Sequence, residues 1–124
     1  MRSPTARTLS FLRGIGATAE VVEHWIPMTA AGFRGPLKRK DVFDCIDILC
    51  VQGAKLLGIQ STSGANHGSR ITKALGSDKL RAFVATGNGF EVWSWSKKGP
   101  RGKRKLWTPR VTQLVIQGDK LIVL

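Results

Sequence analysis

A long apolar run in the first half of the chain constrains the fold most strongly. Residues 42–51 are nearly all apolar, and Asp44 and Asp47 are the only charged residues among them. Such a run is typical of a β-strand that is buried on both faces. A sheet containing this strand needs other elements packed against each side, so the run indicates a layered fold.

The residues that follow predict a returning strand. A glycine marks a turn at residues 53–54, and residues 54–62 supply the second strand of a hairpin. If residues 53 and 54 form the turn, the register places Gln60 opposite Asp47. Because side chains alternate along a strand, Gln60 and Thr62 share one polar face.

Two other regions carry the features of helices. Ser3 can cap a helix and Pro4 tolerates its first turn, so we expect a short helix that ends at Gly14. Apolar residues at helical spacing between residues 71 and 84 predict two short helices, or one kinked helix, with a break at residues 76–77.

Strands are expected in three further regions. Residues 17–26 are rich in β-branched side chains, residues 90–96 alternate between two faces, and residues 106–124 offer one or two strands broken at residues 118–119. Residues 28–40 are punctuated by Gly and Pro and predict a mobile basic loop. The expected fold class is therefore α/β or α+β, a mixed central sheet flanked by helices with additional C-terminal strands.

The net charge limits the class of partner. The chain has 124 residues, which suits a single domain, and its 20 Lys and Arg against 8 Asp and Glu give a formal net charge of +12. Nucleic acid is the leading partner and an acidic membrane surface is the second. No apolar run approaches the roughly 20 residues that span a bilayer, and the first 14 residues lack the apolar core of a signal peptide. We therefore expect a cytoplasmic protein.

The basic residues concentrate in two segments. The first is the connection at residues 97–105, which contains Lys97, Lys98, Arg101, Lys103, Arg104 and Lys105. The second consists of Lys38, Arg39 and Lys40. Phosphates would relieve the repulsion within each segment, so both are predicted to bind a nucleic-acid backbone. The alternative is a solvated hairpin tip. Three neighbouring tryptophans could stack on unpaired bases, although core packing is the expected role of at least two of them; they are Trp93, Trp95 and Trp107.

Five of the eight acidic residues lie before residue 48, and they are Glu20, Glu23, Asp41, Asp44 and Asp47. A carboxylate cluster on a nucleic-acid enzyme can hold a hard divalent cation that activates water against a phosphodiester. We interpret Asp41 and Asp44 as partners of the basic residues at 38–40. Asp47 interrupts the apolar run, so a cation or strong hydrogen bonds should lie near it.

The cysteines and histidines do not indicate a zinc site. Cys45 and Cys50 are expected to be buried on opposite faces and unable to form a disulfide, and the two histidines are too isolated to complete a ligand set. His67 could serve as a general base, although a lone loop histidine is more often a surface residue.

The order α-β-β-β-α-β, with Asp47 before the apolar residues 48–51 and a polar-x-polar motif at residues 60–62, resembles the PD-(D/E)XK nuclease superfamily, in particular its archaeal Holliday-junction-resolvase branch. The resemblance covers residues 3–97. It implies a restriction-endonuclease-like core and a Mg²⁺- or Mn²⁺-dependent DNA endonuclease acting on branched or structured DNA, which would suit a phage or mobile element. The resolvase relatives are dimers, so a homodimer is also implied.

This sequence departs from the family motif E-x-K at both ends. Gln60 stands where the family has a metal-binding Glu, and Thr62 stands where it has a Lys that polarises water and phosphate. Gln60 can still offer an amide oxygen, at lower affinity. Arg70 or Lys73, which follow shortly in the chain, could replace the missing Lys.

The resemblance thus implies a complete set of site residues. Asp47, Gln60 and the backbone carbonyl of Ser61 would hold the cation, Glu23 rather than Glu20 would add an acid, and Arg70 or Lys73 would stabilise the phosphate. Specificity would come from DNA shape, because no recognition helix is evident. Two alternatives stay open. One is a catalytically inactive nucleic-acid-binding module on the same fold, and the other is a small basic RNA-binding protein or a ribonuclease that uses His24 or His67.

Overall fold

The computed structural model describes residues 2–27 and 37–124, and for residues 24–27 and 37–40 it describes the backbone only. The helices and strands of this part are, in chain order, α1 (Pro4–Gly14), β1 (Thr18–Val21), β2 (His24–Pro27), β3 (Leu37–Lys40), β4 (Ile48–Gln52), β5 (Lys55–Ser63), α2 (His67–Leu75), α3 (Asp78–Ala85), β6 (Gly89–Lys98), β7 (Leu106–Gln117) and β8 (Lys120–Val123). A short 3₁₀ turn, Gly64–Asn66, precedes α2.

Six strands form one mixed sheet in the order β1-β4-β5-β6-β7-β8. Strands β5 and β6 run parallel, and the other neighbours are antiparallel. The connection between the parallel strands carries α2 and α3, as a crossover requires. Strands β2 and β3 form a separate two-stranded sheet. The fold class is therefore α+β with a mixed sheet, as the sequence predicted.

Helices cover both faces of the central sheet. On the face that we call the α1 face, buried apolar side chains from α1 and the strands pack together, among them Leu12, Ile48, Cys50, Ile59, Trp93 and Trp95. On the opposite face, the α2–α3 face, the cluster includes Ala74, Leu80, Val84, Phe90, Val92 and Leu114. Along β6 the two clusters alternate residue by residue, which confirms the predicted two-faced strand. In the described residues no helix is long and apolar enough to cross a bilayer.

Serine caps begin α1 and α3. The Ser3 hydroxyl accepts a hydrogen bond from the Ala6 amide at 3.1 Å, and the Ser77 hydroxyl accepts one from the Leu80 amide at 3.1 Å. Each cap satisfies a backbone donor that the helix itself leaves open. The break that the sequence predicted at residues 76–77 is confirmed, because α2 ends before it and α3 begins after it.

The β4–β5 hairpin has the predicted turn and register. Gln52 pairs with Lys55 around the turn, and Ile48 pairs with Ile59. One residue further on, the Asp47 amide donates to the Ile59 carbonyl at 2.8 Å. This register brings Asp47 opposite Gln60, which the sequence had predicted.

The prediction of one strand over residues 42–51 is wrong for residues 42–47. Residues 41–47 form a tight turn closed by a bridge between Val42 and Ile46, and β4 starts only at Ile48. Phe43 and Asp44 adopt positive φ angles of 53° and 63°, which is uncommon for residues other than glycine. The apolar residues of this turn are buried nonetheless, so the run signalled burial rather than a strand.

A glycine on β5 lets the buried turn approach the sheet. A Cβ atom on Gly58 would lie 2.7 Å from Cδ1 and 3.0 Å from Cγ1 of Ile46. Ile46 is completely buried and has no room to retreat. The absence of a side chain at Gly58 therefore fixes how closely the 41–47 turn packs on the α2–α3 face.

Two further sequence predictions need correction. The single strand expected over residues 17–26 is divided into β1 and β2, because the chain leaves the central sheet after Val22. The basic loop expected over residues 28–40 ends in a strand, since β3 pairs antiparallel with β2. Residues 28–36 of that expected loop lie outside the described part of the chain.

Candidate functional site

Three carboxylates converge at the end of the central sheet where β4 begins. Glu23, Asp41 and Asp47 each offer an oxygen atom, and these atoms lie within 4.8 Å of one another. Asp41 and Asp47 stand at the two ends of the 41–47 turn. Glu23 follows β1, and the amide of its neighbour Val22 donates to the Asp47 carbonyl at 2.8 Å, which keeps the backbone at this point beside Asp47. We call this group, together with Gln60, the acidic cluster.

Asp47 is completely buried and is hydrogen-bonded through one oxygen. Its Oδ2 accepts from the Ser61 amide at 2.8 Å and from Nε2 of Gln60 at 3.3 Å. Its Oδ1 is buried and has no hydrogen-bond partner among the described residues. A buried carboxylate oxygen without a partner is costly, so this atom is available for a ligand.

Gln60 provides a second oxygen of the same kind. Its side chain is 1% exposed, and Nε2 also donates to Oδ2 of Asp41 at 3.4 Å. These bonds orient the amide in the cluster and leave Oε1 buried without a hydrogen-bond partner within the described chain. Asp47 and Gln60 therefore present two oxygens that protein groups do not satisfy.

The electrostatics of the cluster oppose the ionisation of Asp47. Burial, together with the adjacent Asp41 carboxyl and the charge of Glu23, raises the pKa of Asp47 from 3.8 to about 8, although the Ser61 amide acts in the opposite direction. An ionised Asp47 would be buried beside two other carboxyl groups, so its charged form is disfavoured unless a positive charge compensates it. Strongly perturbed carboxyls of this kind are common at functional sites.

The backbone and the side chain of Ser61 bind different partners, because they point in different directions from the strand. Its backbone amide binds Asp47, and its side chain points to the α1 face, where the hydroxyl donates to Oγ1 of Thr8 at 2.9 Å. The N–H and C=O of one strand residue point to the same neighbour, so the Ser61 carbonyl also points toward the Asp47 side. Thr62 is 5% exposed and lies on the same face as Gln60.

The two cations considered as replacements for the missing Lys lie in α2 in different settings. Arg70 is half-buried, and its Nε is buried without a hydrogen-bond partner in the described residues. Lys73 is exposed and lines a surface pocket of about 360 Å³ together with Asp44, Cys45 and Ser77. Lys73 thus sits beside the exposed corner of the 41–47 turn, and Arg70 is the cation with an unused buried donor.

His67 is a structural residue, which corrects the suggestion that it is a general base. Its side chain is 1% exposed, Nδ1 lies 2.6 Å from the Ser94 hydroxyl, and Nε2 lies 2.7 Å from the Thr112 hydroxyl. Burial and the charge of Arg110 lower its pKa. A neutral imidazole with both nitrogens occupied joins α2 to β6 and β7.

The cysteines are buried, as predicted. Cys45 is inaccessible and Cys50 is 4% exposed; they belong to the α2–α3 face and the α1 face, respectively, and both are free thiols. Burial raises the pKa of the Cys45 thiol, which keeps it protonated.

The basic residues at 97–105 occupy the β6–β7 hairpin. Lys97 and Lys98 end β6, the remaining four cations lie in the connecting turn, and all six are exposed. Lys38, Arg39 and Lys40 form β3, and their side chains lie outside the described part. Trp93 and Trp95 are each 7% exposed, as expected for core residues, whereas Trp107 is 39% exposed.

The sequence did not assign Asp41 to the site. It interpreted Asp41 as a partner of the basic residues at 38–40, whose side chains lie outside the described part, and the structure places the Asp41 side chain in the acidic cluster, where it accepts from Gln60. The signal that could have revealed it is the turn itself. A turn of seven residues brings its two ends together, so an Asp at each end already predicts a carboxylate pair. Asp44, the other acid of the turn, is exposed.

Comparison with known proteins leaves the site to be interpreted from its own chemistry: no protein-family model, curated protein or solved structure matches the chain.

Proposed function

We propose that this chain is a metal-dependent DNA endonuclease with a restriction-endonuclease-like core, and that the acidic cluster holds Mg²⁺ or Mn²⁺. The observation that carries this proposal is the pair of buried oxygens, Oδ1 of Asp47 and Oε1 of Gln60, that lack hydrogen-bond partners among the described residues. They lie where three carboxylates converge. Buried polar atoms in folded proteins are normally satisfied, so two such oxygens at one place favour a ligand that binds between them.

The donor set fits a hard divalent cation. Such cations prefer carboxylate and amide or backbone carbonyl oxygens, and the cluster offers carboxylates from Glu23, Asp41 and Asp47, the amide of Gln60 and the nearby carbonyl of Ser61. A bound cation would offset the repulsion that raises the pKa of Asp47. When bound, it would activate water and neutralise charge on a phosphodiester.

The protein's own residues have separable roles in this proposal. The Ser61 amide and the Gln60 side chain orient the Asp47 carboxylate, which is the least exposed of the oxygen donors. Arg70 is half-buried, its buried Nε has no hydrogen-bond partner among the described residues, and its guanidinium group suits a phosphate oxygen. Thr62 supplies no charge at the position where the family motif has Lys, so Arg70 is assigned the phosphate-stabilising role.

The order of elements supports the same assignment. Leaving out the β2–β3 hairpin, the chain follows α1, β1, β4, β5, α2 with α3, and β6, which is the α-β-β-β-α-β order of the nuclease core. Asp47 precedes the second of these strands and Gln60 lies on the third. The exposed cations of the β6–β7 hairpin and the net charge of +12 favour a polyanionic substrate.

The proposal is tested by cleavage of supercoiled, single-stranded and four-way-junction DNA with Mn²⁺ or with chelator. We expect Mn²⁺-dependent cleavage that Asp47→Asn abolishes. The matched control is Asp44→Asn, which removes the same charge from the exposed corner of the same turn and keeps a residue that tolerates positive φ. Cleavage that survives Asp47→Asn, or that proceeds in chelator, would contradict the proposal. Mn²⁺ binding without cleavage would instead favour the inactive binding module.

A further inference from the structure

A second cavity lies on the α1 face, away from the acidic cluster. It has a volume of about 150 Å³ and is lined by Arg2, Pro4, Arg7, Ser63, Trp95 and Trp107. This volume is below the roughly 300 Å³ of pockets for drug-sized ligands, so it suits one planar ring rather than a large molecule. Ser63 ends β5, which places the cavity at the same end of the sheet as the acidic cluster but on the opposite face.

Two planar groups are in contact at this cavity. The guanidinium carbon of Arg7 lies 3.8 Å from the centre of the Trp107 ring, and Nζ of Lys97 lies 5.5 Å from it. Trp107 is nevertheless 39% exposed. Indole rings and guanidinium planes are the surfaces on which proteins stack unpaired bases.

The charges around the cavity lack acidic partners. Within the described residues Arg7 forms no ion pair, no Asp or Glu lines the cavity, and the Arg2 guanidinium donates only to the Ser10 hydroxyl at 3.4 Å. The six exposed cations of the β6–β7 hairpin begin at Lys97, beside Trp107. An anionic backbone that carries flat rings therefore matches both the charge and the shape of this surface.

A hydrogen-bond relay connects the cavity wall to the acidic cluster. The buried Thr8 hydroxyl accepts from Nε1 of Trp95 at 2.8 Å and from the Ser61 hydroxyl at 2.9 Å, and it donates to the Pro4 carbonyl at 3.0 Å. Ser61 in turn holds Asp47 through its amide. The cavity is thus built on the same strand that carries the cluster, with a fixed spacing between them.

We infer that the Arg7–Trp107 cavity binds an unpaired nucleotide of a DNA substrate, with its base stacked on the planar pair and its phosphate paired with the cations. This inference rests on the proposed nuclease function and names the form of DNA that it uses, namely DNA with a single-stranded arm or flap. In a duplex both faces of each interior base are covered by neighbours, so the interior of duplex DNA cannot stack on Trp107. Trp107 is therefore the residue that distinguishes the two forms.

The test is fluorescence anisotropy with a labelled single strand and with the corresponding blunt duplex, in chelator so that no cleavage occurs. Trp107→Ala changes no charge, and we expect it to weaken single-strand binding about tenfold while duplex binding changes less than twofold. Trp107→Phe keeps a ring and should restore most of the affinity. Arg101→Ala is the charge control and should weaken both forms alike.

Arg7→Lys provides an independent variant, because it keeps the charge and removes the planar group. It should show the same selective loss as Trp107→Ala. Equal losses for both DNA forms, or no loss for the single strand, would overturn the inference. Tighter, Trp107-dependent binding of an RNA strand of the same sequence would overturn the choice of DNA. Since binding is measured without metal, absence of cleavage would refute only the nuclease proposal.

Discussion

The pKa of Asp47 predicts an unusual dependence of stability on pH in metal-free protein. Burial, with the adjacent Asp41 carboxyl, raises this pKa from 3.8 to about 8. Between these values the folded chain binds one proton more than the unfolded chain, so the stability that is present below about pH 4 is lost as pH rises toward 8. The slope is about 1.4 kcal/mol per pH unit, or about 3 kcal/mol between pH 5 and pH 7.

Asp47→Asn removes this titration and keeps the hydrogen bonds. The Asn oxygen can accept from the Ser61 amide as Oδ2 of Asp47 does, and the Asn amide can donate to Asp41. We therefore expect the variant to be the more stable protein near pH 7.5, in chelator. The pH dependence contributed by His67, whose pKa is lowered, is common to both proteins and cancels in the difference.

The assay is thermal or urea unfolding of the wild type and of Asp47→Asn at several pH values from 5 to 8. The difference between the two proteins should grow by about 3 kcal/mol from pH 5 to pH 7, which for a domain of this size is a change in melting temperature of about 10 °C. Asp44→Asn, at an exposed carboxylate, should follow the wild type. Parallel curves for the wild type and Asp47→Asn would refute the reasoning.

Three further substitutions test other contacts. Gln60→Glu adds a negative ligand and should tighten Mn²⁺ binding in calorimetry, and unchanged affinity would remove Gln60 from the ligand set. Thr8→Val leaves the Ser61 hydroxyl without its buried acceptor and should lower the free energy of unfolding by about 1–3 kcal/mol. Gly58→Ala places a Cβ 2.7 Å from Ile46 and should destabilise by about 1–3 kcal/mol in urea unfolding, whereas a neutral effect would mean that the turn can move.

Hydrophobic and capping patterns were sufficient to predict the elements after residue 47. The β4–β5 register follows from a short turn and from the alternation of side chains along a strand. Ser77 marks the break between α2 and α3, because it caps α3. Residues that are close in the sequence therefore determine these helices and strands. The pairing of Gln60 with Asp47 was predictable for the same reason.

The first half of the chain was harder to predict because tertiary packing decides it. Cys45 and Ile46 are completely buried without belonging to a strand, since the 41–47 turn packs into the space above Gly58. Hydrophobicity reports burial and cannot distinguish a buried turn from a buried strand. The positive φ angle of Phe43 has no signature in a residue of this type.

The candidate site was predictable in part. Asp47 was identified because a carboxylate buried in an apolar run needs a cation or hydrogen bonds to compensate its charge. Glu23 was also predicted, as an additional acid. Asp41 was missed because its basic neighbours offered a simpler explanation in sequence. The position of Asp41 depends on the 41–47 turn. Two non-glycine residues of this turn have positive φ angles, and such a conformation is set by tertiary packing rather than by local sequence.

Binding of Mn²⁺ to the metal-free protein, measured by isothermal titration calorimetry near pH 8, tests the central claim most directly. A cation site at the acidic cluster predicts one ion per chain, loss of binding in Asp47→Asn and unchanged binding in Asp44→Asn. Undetectable binding by the wild type, or equal binding by Asp47→Asn, would contradict the assignment of the cluster as a metal centre.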